Sequence, residues 1–294
     1  MALDNPAFNR PAFQDPAANR GGAQAGLSDP YLAHGQTNAA QTAQLDSMYA
    51  VPPAGAVNTD RMTVEDTVWK TVALFAALLV TAVVGWVWTL STVATSGPNM
   101  APWLIGMIGG FVLAMVNIFK KQPSVPLIVA YAAFQGLFVG GISAYFEFLF
   151  PGIVMQATLA TLAVVGVTLA LFANGKIRAS KKATKIFMIA MIGYAVFSLL
   201  NLILMWTNVI PAGMMFGIHS EPSFLFGIPW GVIIGVLVVI MAAYSLVLDF
   251  DMVQRGVRNG APRKMAWTAA FGIMVTVIWL YVEILRILAI LRNN

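Results

Sequence analysis

The sequence predicts an all-α polytopic membrane protein with seven transmembrane helices, and three observations lead to this fold class. First, 59% of the 294 residues are hydrophobic and only 10% are charged, whereas a soluble domain carries roughly 25% charged residues. Second, the chain contains seven apolar runs, each long enough to cross a hydrocarbon core about 30 Å thick. Third, lysine and arginine recur only in alternate loops between these runs. Helices are expected because lipid offers no hydrogen-bond partner to an open strand.

The residues before the first apolar run differ sharply in composition from the rest. Residues 1–60 are rich in Pro, Ala, Gln, Asn and Gly, and such a segment buries too little apolar surface to become ordered. We therefore expect a disordered tail over residues 1–60 and a seven-helix transmembrane domain over residues 61–294. The start of the chain lacks the apolar core of a signal peptide. The piece Asn5–Arg10 is either a docking motif or part of a solvated tail.

Ordered structure is expected from Thr63 onward. Thr63-Val64-Glu65-Asp66 fits a helix capping box with acids in the first turn. Lys70, at the inner end of the first span, is expected to extend its amine toward the headgroups. The seven predicted spans cover residues 70–90, 102–119, 126–148, 153–172, 186–206, 226–248 and 265–290.

The basic residues predict the orientation of the chain. Loops 2–3, 4–5 and 6–7 carry Lys120, Lys121, Lys176, Arg178, Lys181, Lys182, Lys185, Arg255, Arg258, Arg263 and Lys264. Loops 1–2, 3–4 and 5–6 contain no lysine or arginine. The positive-inside rule therefore places the N-terminal tail and the basic loops in the cytoplasm, and Arg292–Asn294 outside. We expect a multi-pass protein of the cell (plasma) membrane.

Small and polar residues inside the spans are expected to join helices. Three sets of glycines have the G-x-x-x-G spacing that lets backbones approach, for packing within the chain or for dimerisation. They are Gly106/Gly110, Gly136/Gly140 and Gly227/Gly231/Gly235. Four amide side chains can form hydrogen bonds between helices, which is the ordinary structural role of such groups. They are Asn117, Gln135, Gln156 and Asn201.

Several classes of function are not expected. The chain has no cysteine and only two histidines, and His34 and His219 lie far apart, which argues against a histidine-based metal site. A phosphate-binding P-loop, a G-x-S-x-G elbow and an H-E-x-x-H motif are all missing from the sequence. We therefore expect neither an enzyme nor a bound cofactor. The net charge of +5 comes with short basic loops, which indicates a lipid bilayer rather than nucleic acid as partner.

Acids beside apolar spans are candidates for a functional site, because charge is costly in lipid. Asp249 and Asp251 end span 6, and on a helix they point about 200° apart, so at most one faces the bundle centre. Asp251 precedes Arg255 by four residues, a spacing that allows an ion pair. The two aspartates are either a solvated cytoplasmic collar or part of an ion site. Glu147, near the end of span 3, is either an interfacial acid or part of an outer vestibule.

Glu283 is the acid most deeply placed in an apolar run. It has apolar neighbours on both sides, and Arg286 follows three residues later on the same helix face. The two residues form either a structural ion pair or a titratable site that lines a cation or proton path, with Arg286 tuning Glu283.

Three motifs, in this order along the chain, resemble the Bax inhibitor family, also described as transmembrane Bax-inhibitor-motif or YccA-like proteins. They are residues 131–143 in span 3, Leu248-Asp249-Phe250-Asp251 at the end of span 6, and Leu280-Tyr281-Val282-Glu283 in span 7. The resemblance covers the chain from about Met62 to its end. Asn5–Arg10 and Val257–Pro262 are similar to a bacterial branch of that family with a long tail.

The resemblance implies a bundle in which span 7 is surrounded by the other spans. It also implies a pH-sensitive calcium leak, as in some members, or regulation of membrane proteases or cell death, as in others. In leak-active members an aspartate of span 6 and one of span 7 share a proton and act as a latch. Asp249, or less closely Asp251, matches the first, and Glu283 matches the second with Glu in place of Asp.

This sequence differs from the latch pattern in two respects. Span 2 contains no basic residue to pair with the acid of span 6. The depths predicted for Asp249 and Glu283 also differ by roughly 16 Å, so a direct pair requires a break in a helix.

Three functional hypotheses follow. The first is a membrane protein that passes or senses cations, with calcium implied by the resemblance. The second is a non-conducting regulator that binds a membrane protease or another membrane partner. The third is a proton-coupled transporter. The expected partners are therefore the bilayer, calcium ions or protons, or a membrane protease.

Overall fold

The computed structural model describes residues 60–120, 122–207, 209, 216–220 and 228–293. Its seven long helices are α1 (Val64–Leu90), α2 (Ala101–Phe119), α3 (Val125–Leu149), α4 (Ile153–Ala173), α5 (Lys181–Trp206), α6 (Trp230–Arg258) and α7 (Met265–Asn293). A four-residue helix, Val93–Ser96, follows α1, and a 3-10 helix, Gly217–Ser220, precedes α6. All seven long helices are long and apolar enough to cross a membrane, and the described residues contain no strand. The predicted fold class is confirmed. The predicted tail, including Asn5–Arg10, lies outside the described residues except for its last position.

Local sequence signals explain where the helices begin and end. Helix α1 begins at Val64, six residues before the predicted membrane span, because the Thr63 hydroxyl accepts the Asp66 N–H at 3.1 Å as the capping box predicts. Helix α5 begins at Lys181, where Ser180 caps the Ala183 N–H at 3.2 Å. Helix α6 continues beyond its predicted end at residue 248 to Arg258. Arg255 and Arg258 in its last turn favour this extension, since they offset the carbonyl end of the helix dipole.

Helix α7 occupies the centre of the bundle. It packs against α1, α3, α4 and α6, and half of its most apolar stretch is buried, compared with 11% to 39% in the other six helices. The small residues Ala266 and Ala270 are fully buried near its start. Leu280 and Leu285 are fully buried farther along the helix. Such dense packing is what holds helices together in lipid, where burial of apolar surface adds little. The predicted central position of the last helix is confirmed.

The G-x-x-x-G glycines serve packing within the chain. A Cβ at Gly140 would lie 2.0 Å from the Ala82 carbonyl oxygen, and one at Gly136 would lie 2.3 Å from that of Leu78, so α1 and α3 touch through their backbones. Gly106 brings α2 equally close to α3, and Gly231 and Gly235 admit side chains of α7. Gly227 lies outside the described residues.

Three of the four predicted amide groups link separate parts of the bundle. Asn117 donates to the Leu127 carbonyl of α3 at 3.3 Å. Asn201 accepts the Ile218 N–H at 2.9 Å and so holds the 3-10 helix against α5. Gln156 accepts from Arg292 at 3.2 Å, whereas Gln135 donates within its own helix to the Tyr131 hydroxyl at 3.0 Å.

The basic loops come together at one end of the bundle, which we call the basic end. There Asp66 is bound by Lys70 and by Arg263, whose Nη2 lies 3.0 Å from the carboxylate. Lys70 also donates to the Arg263 carbonyl at 3.0 Å, and its amine lies 5.5 Å from the centre of the Trp267 ring. The Lys70 amine thus extends toward the basic end, where protein groups bind it. They tie the start of α1 to the start of α7.

At the opposite end, Glu147 closes the turn between α3 and α4. Its carboxylate accepts the Gly152 N–H at 2.6 Å and the Val154 N–H at 3.1 Å. These donors belong to the first turn of α4, where the helix has unpaired N–H groups.

Candidate functional site

Glu283 lies inside the bundle with only 3% of its surface exposed. Arg286, on the next turn of α7, contacts both of its carboxylate oxygens, with Nε 3.3 Å from Oε2. Tyr194 of α5 donates its hydroxyl to Oε2 at 3.2 Å. A buried carboxylate needs such donors to offset the loss of water. The ion pair that the sequence suggested is present, and Tyr194 adds a hydrogen bond to its carboxylate.

Helix α6 leaves room for this cluster at Gly235. A Cβ at Gly235 would lie 2.4 Å from Ile287 Cγ1 and 3.4 Å from Glu283 Oε1. Only glycine therefore lets α6 lie flat against the turn of α7 that carries the carboxylate. The site is built from α5, α6 and α7 together.

A cavity reaches Arg286 from the end opposite the basic loops. Its volume is about 360 Å³, and Met100, Trp103, Tyr145 and Phe216 line it together with Arg286. Trp103 Nε1 is buried and has no hydrogen-bond partner among the described residues. Most of this lining is aromatic or aliphatic, and among the described residues Arg286 is the one charged side chain that faces the cavity.

His219 borders the same cluster. It is 5% exposed, its ring meets that of Phe197 edge to face at 5.1 Å, and its Nδ1 has no partner among the described residues. Burial, with a further contribution from the positive charge of Arg286, lowers the pKa of His219 to about 4. The imidazole is therefore neutral at physiological pH.

Asp249 faces α7 near the basic end. Thr276 donates its hydroxyl to Asp249 Oδ2 at 2.6 Å, and Ser245 Oγ lies 3.4 Å from the same hydroxyl. Gly272 brings the α7 backbone close, because a Cβ there would lie 3.3 Å from Asp249 Oδ1. Asp249 is half-buried at the helix interface.

Asp251 points to a different side of α6 from Asp249. Its Oδ2 lies 2.9 Å from Nε of Arg255, the partner that the i,i+4 spacing predicted. Asp251 thus faces the start of α5, and Asp249 alone of the two aspartates faces the central helix.

The structure does not bring Asp249 and Glu283 together. Asp249 contacts Thr276, and Glu283 lies seven residues farther along an unbroken α7, which corresponds to about 10 Å at 1.5 Å per residue. Each carboxylate has its own donors, so the shared proton that the resemblance implied is not formed here. The cause is geometric, since neither α6 nor α7 has the break that a direct pair requires.

Sequence reasoning missed three members of the site. Thr276 lies two turns before Glu283 on one side of α7, so an inspection of polar residues along that helix would have found it. Tyr194 has no comparable signal, because it comes from a separate helix. His219 stands out in the sequence only as a candidate metal ligand. Within the described ranges no group of three or more His, Cys, Asp or Glu side chains could hold a metal ion.

Comparison with known proteins gives one family match. A family model described as Bax inhibitor 1 like matches residues 5–293. A search of curated proteins found no match.

Proposed function

Given that the chain belongs to the Bax inhibitor 1 like family, we propose that it is a pH-sensitive cation leak or sensor, with calcium as its ion. The observation that carries this proposal is the burial of Glu283 in the central helix, 3% exposed and held by Arg286 and Tyr194. Ionisable groups inside a membrane bundle are costly and mark ion or proton pathways.

The geometry suggests how such a path would be gated. The cavity at the end opposite the basic loops stops at Arg286. The Arg286 guanidinium forms an ion pair with the Glu283 carboxylate. A cation can be bound by Glu283 only after the guanidinium has moved away. We therefore assign this structure to a closed state in which Arg286 takes the place of the cation.

Asp249 is the second control point in this proposal. It is half-buried, and its charge is stabilised by the hydroxyl of Thr276 rather than by a cation. A proton gained by Asp249 removes a negative charge from the path, so we expect cation flux to fall as pH falls. Asp251 is already neutralised by Arg255 and should contribute less.

The orientation of this path follows from the charge pattern. We propose that the basic end faces the cytoplasm and that the protein resides in the cell membrane, with its N-terminus inside. Asp249 would then control the cytoplasmic side of the path, and Glu283 would lie toward the outer side.

The test is calcium flux into vesicles that contain the purified full-length protein and an enclosed calcium-sensitive dye. We expect a flux that falls on acidification and that changes when Glu283 is replaced with Gln. Absence of flux above that of empty vesicles across the pH range would reject the leak.

A second candidate function is a non-conducting regulator that binds a membrane protease or another membrane protein. The observation that favours it is the poor packing of α5, of which only 11% of the most apolar stretch is buried. Ile189, Ile192 and Val196 are each more than half exposed along this helix. A partner helix could cover this face, and this function requires no flux.

A further inference from the structure

A pocket at the basic end lies between the start of α5 and the end of α6, on the side of α6 away from Glu283. We call it the basic pocket. Its volume is about 580 Å³. Lys181, Lys185 and Met188 line it from α5, and Leu248, Asp251 and Arg255 line it from α6.

The charges around the basic pocket do not balance. Three cations, Lys181, Lys185 and Arg255, face one anion, Asp251, so the lining carries a net charge of 3 − 1 = +2. Arg255 is paired with Asp251 at 2.9 Å. Lys181 and Lys185 form no ion pair or hydrogen bond with any residue that the structure describes.

The two unpaired lysines also repel each other. They are four residues apart on one face of α5, a spacing at which like charges destabilise a helix. An anion placed between them would relieve this repulsion and complement the charge of the pocket.

Below the charged rim the pocket becomes apolar. Met188, which is half exposed, and Leu248 line its apolar part, and the exposed side chains of Ile186, Ile189 and Ile192 begin directly after Lys185 on α5. Exposed isoleucines on a membrane helix mark the start of the hydrocarbon layer. The lysines therefore lie at the height of the headgroups, and the apolar part lies at the height of the acyl chains.

A polar contact holds the two helices together beside the pocket. The Tyr244 hydroxyl of α6 lies 3.0 Å from Thr184 Oγ1 of α5, and the Tyr244 ring packs on Phe187 with centroids 5.5 Å apart. The rim and the apolar part of the pocket are thus fixed relative to each other.

We propose that the basic pocket binds an anionic phospholipid. The lipid phosphate lies between Lys181, Lys185 and Arg255, and an acyl chain lies along Met188 and Leu248. Basic pockets between membrane helices bind anionic headgroups in this way. A free phosphate ion could satisfy the rim alone, whereas a phospholipid satisfies both halves of the pocket. The headgroup competes with Asp251 for Arg255, so Asp251 opposes binding.

The experiment counts lipids bound to the full-length protein by native mass spectrometry during titration with phosphatidylglycerol. Two lysines near a membrane surface contribute about 1 kcal/mol each, so K181Q/K185Q should weaken the first binding step by roughly thirtyfold. Asp251→Asn should strengthen it several-fold. The matched control is K120Q/K264Q, which removes the same charge from the basic end outside the pocket and should change affinity by less than about twofold.

Three further arms keep the test decisive. K181R/K185R should restore binding, which separates loss of charge from misfolding, and phosphatidylcholine should bind all variants equally weakly. Millimolar inorganic phosphate should not displace the phosphatidylglycerol. If phosphate displaced it fully, the site would be one for a soluble anion. Wild-type affinity in K181Q/K185Q, or an equal loss in K120Q/K264Q, would overturn the proposal.

Discussion

Thr276 donates its hydroxyl to Asp249 across the interface of α6 and α7 at 2.6 Å. This bond gives the half-buried aspartate a donor on the central helix, although the two residues lie 27 positions apart in the chain. The charge of Asp249 is therefore coupled to the position of α7, the same helix that carries Glu283.

Thr276→Val should remove this donor with little change of shape. Hydrogen bonds to charged groups contribute about 1.5–3 kcal/mol, so we expect a loss of stability of about 2 kcal/mol at neutral pH. In the proposed leak the midpoint of the flux–pH profile should move to higher pH, since the charged form of Asp249 loses a donor. Thr161→Val is the control, because Thr161 is also buried but, among the residues that the structure describes, bonds only to the Ala157 carbonyl at 2.7 Å. Equal melting curves and equal pH profiles for the two variants would contradict the assigned role.

Glu283→Gln should separate a gate from a structural ion pair. The change leaves Arg286 without its carboxylate, and breaking a buried pair costs about 3–5 kcal/mol, so the melting temperature should fall in either case. A gate requires in addition that the flux per molecule changes and that its pH dependence flattens. Asp251→Asn serves as the control, because its partner Arg255 is largely exposed and the flux should stay close to wild type. An unchanged pH-dependent flux in Glu283→Gln would leave only the structural role.

His219 should make stability depend on pH. Its pKa is about 4 in the folded protein and about 6.5 in an unfolded chain. Between these values the unfolded chain binds a proton that the folded protein does not, so stability is full above about pH 6.5 and falls as pH drops toward 4. The loss from this group is on the order of 3 kcal/mol. His219→Gln should reduce the slope of unfolding free energy against pH in this window. His34→Gln, in the predicted tail, should leave the slope unchanged, and equal slopes for His219→Gln and wild type would refute the assignment.

Gly140→Ala should disrupt the contact of α1 with α3. The added methyl group would lie 2.0 Å from a backbone oxygen of Ala82, and backbone yields less easily than a side chain. Overpacking of this kind costs about 1–3 kcal/mol. Gly193→Ala is the matched control, since a Cβ there meets no atom within 4 Å and alanine favours a helix. The midpoint of thermal unfolding should fall for the first variant and stay or rise for the second.

The proposed orientation can be tested by cysteine labelling, because the chain has no cysteine of its own. A cysteine introduced at position 294 should react with an impermeant reagent from outside the cell. One introduced at position 120 should react only after the membrane is opened. Reaction of position 294 only from the cytoplasmic side would reject the seven-span orientation.

The helices could be predicted from sequence because the backbone of a single span can satisfy its hydrogen bonds in lipid only as a helix. Seven apolar runs of spanning length therefore predict seven helices. Their ends were less predictable where charged residues continue a helix into water, as Arg255 and Arg258 do for α6. Glu283 and Asp249 stood out because acids are rare beside apolar runs. Tyr194 did not, since it meets Glu283 through a tertiary contact that leaves no local pattern, whereas the only sequence signal of Thr276 is its position two turns before Glu283 on α7. The distance between the two acids likewise depends on how α6 and α7 align.

The central position of α7 has a consequence for how the protein is made. Helices α1 to α6 leave the ribosome before the helix on which four of the structure's helices pack. During synthesis their only neighbours are one another and the lipid. Until α7 is made, Asp249 lacks the hydroxyl of Thr276 as a hydrogen-bond donor. Insertion of α7 is therefore the step that completes the interior, and the bond from Thr276 to Asp249 can form only as that last helix enters. Nascent chains that stop before residue 265 should accordingly be substrates for quality control in the membrane.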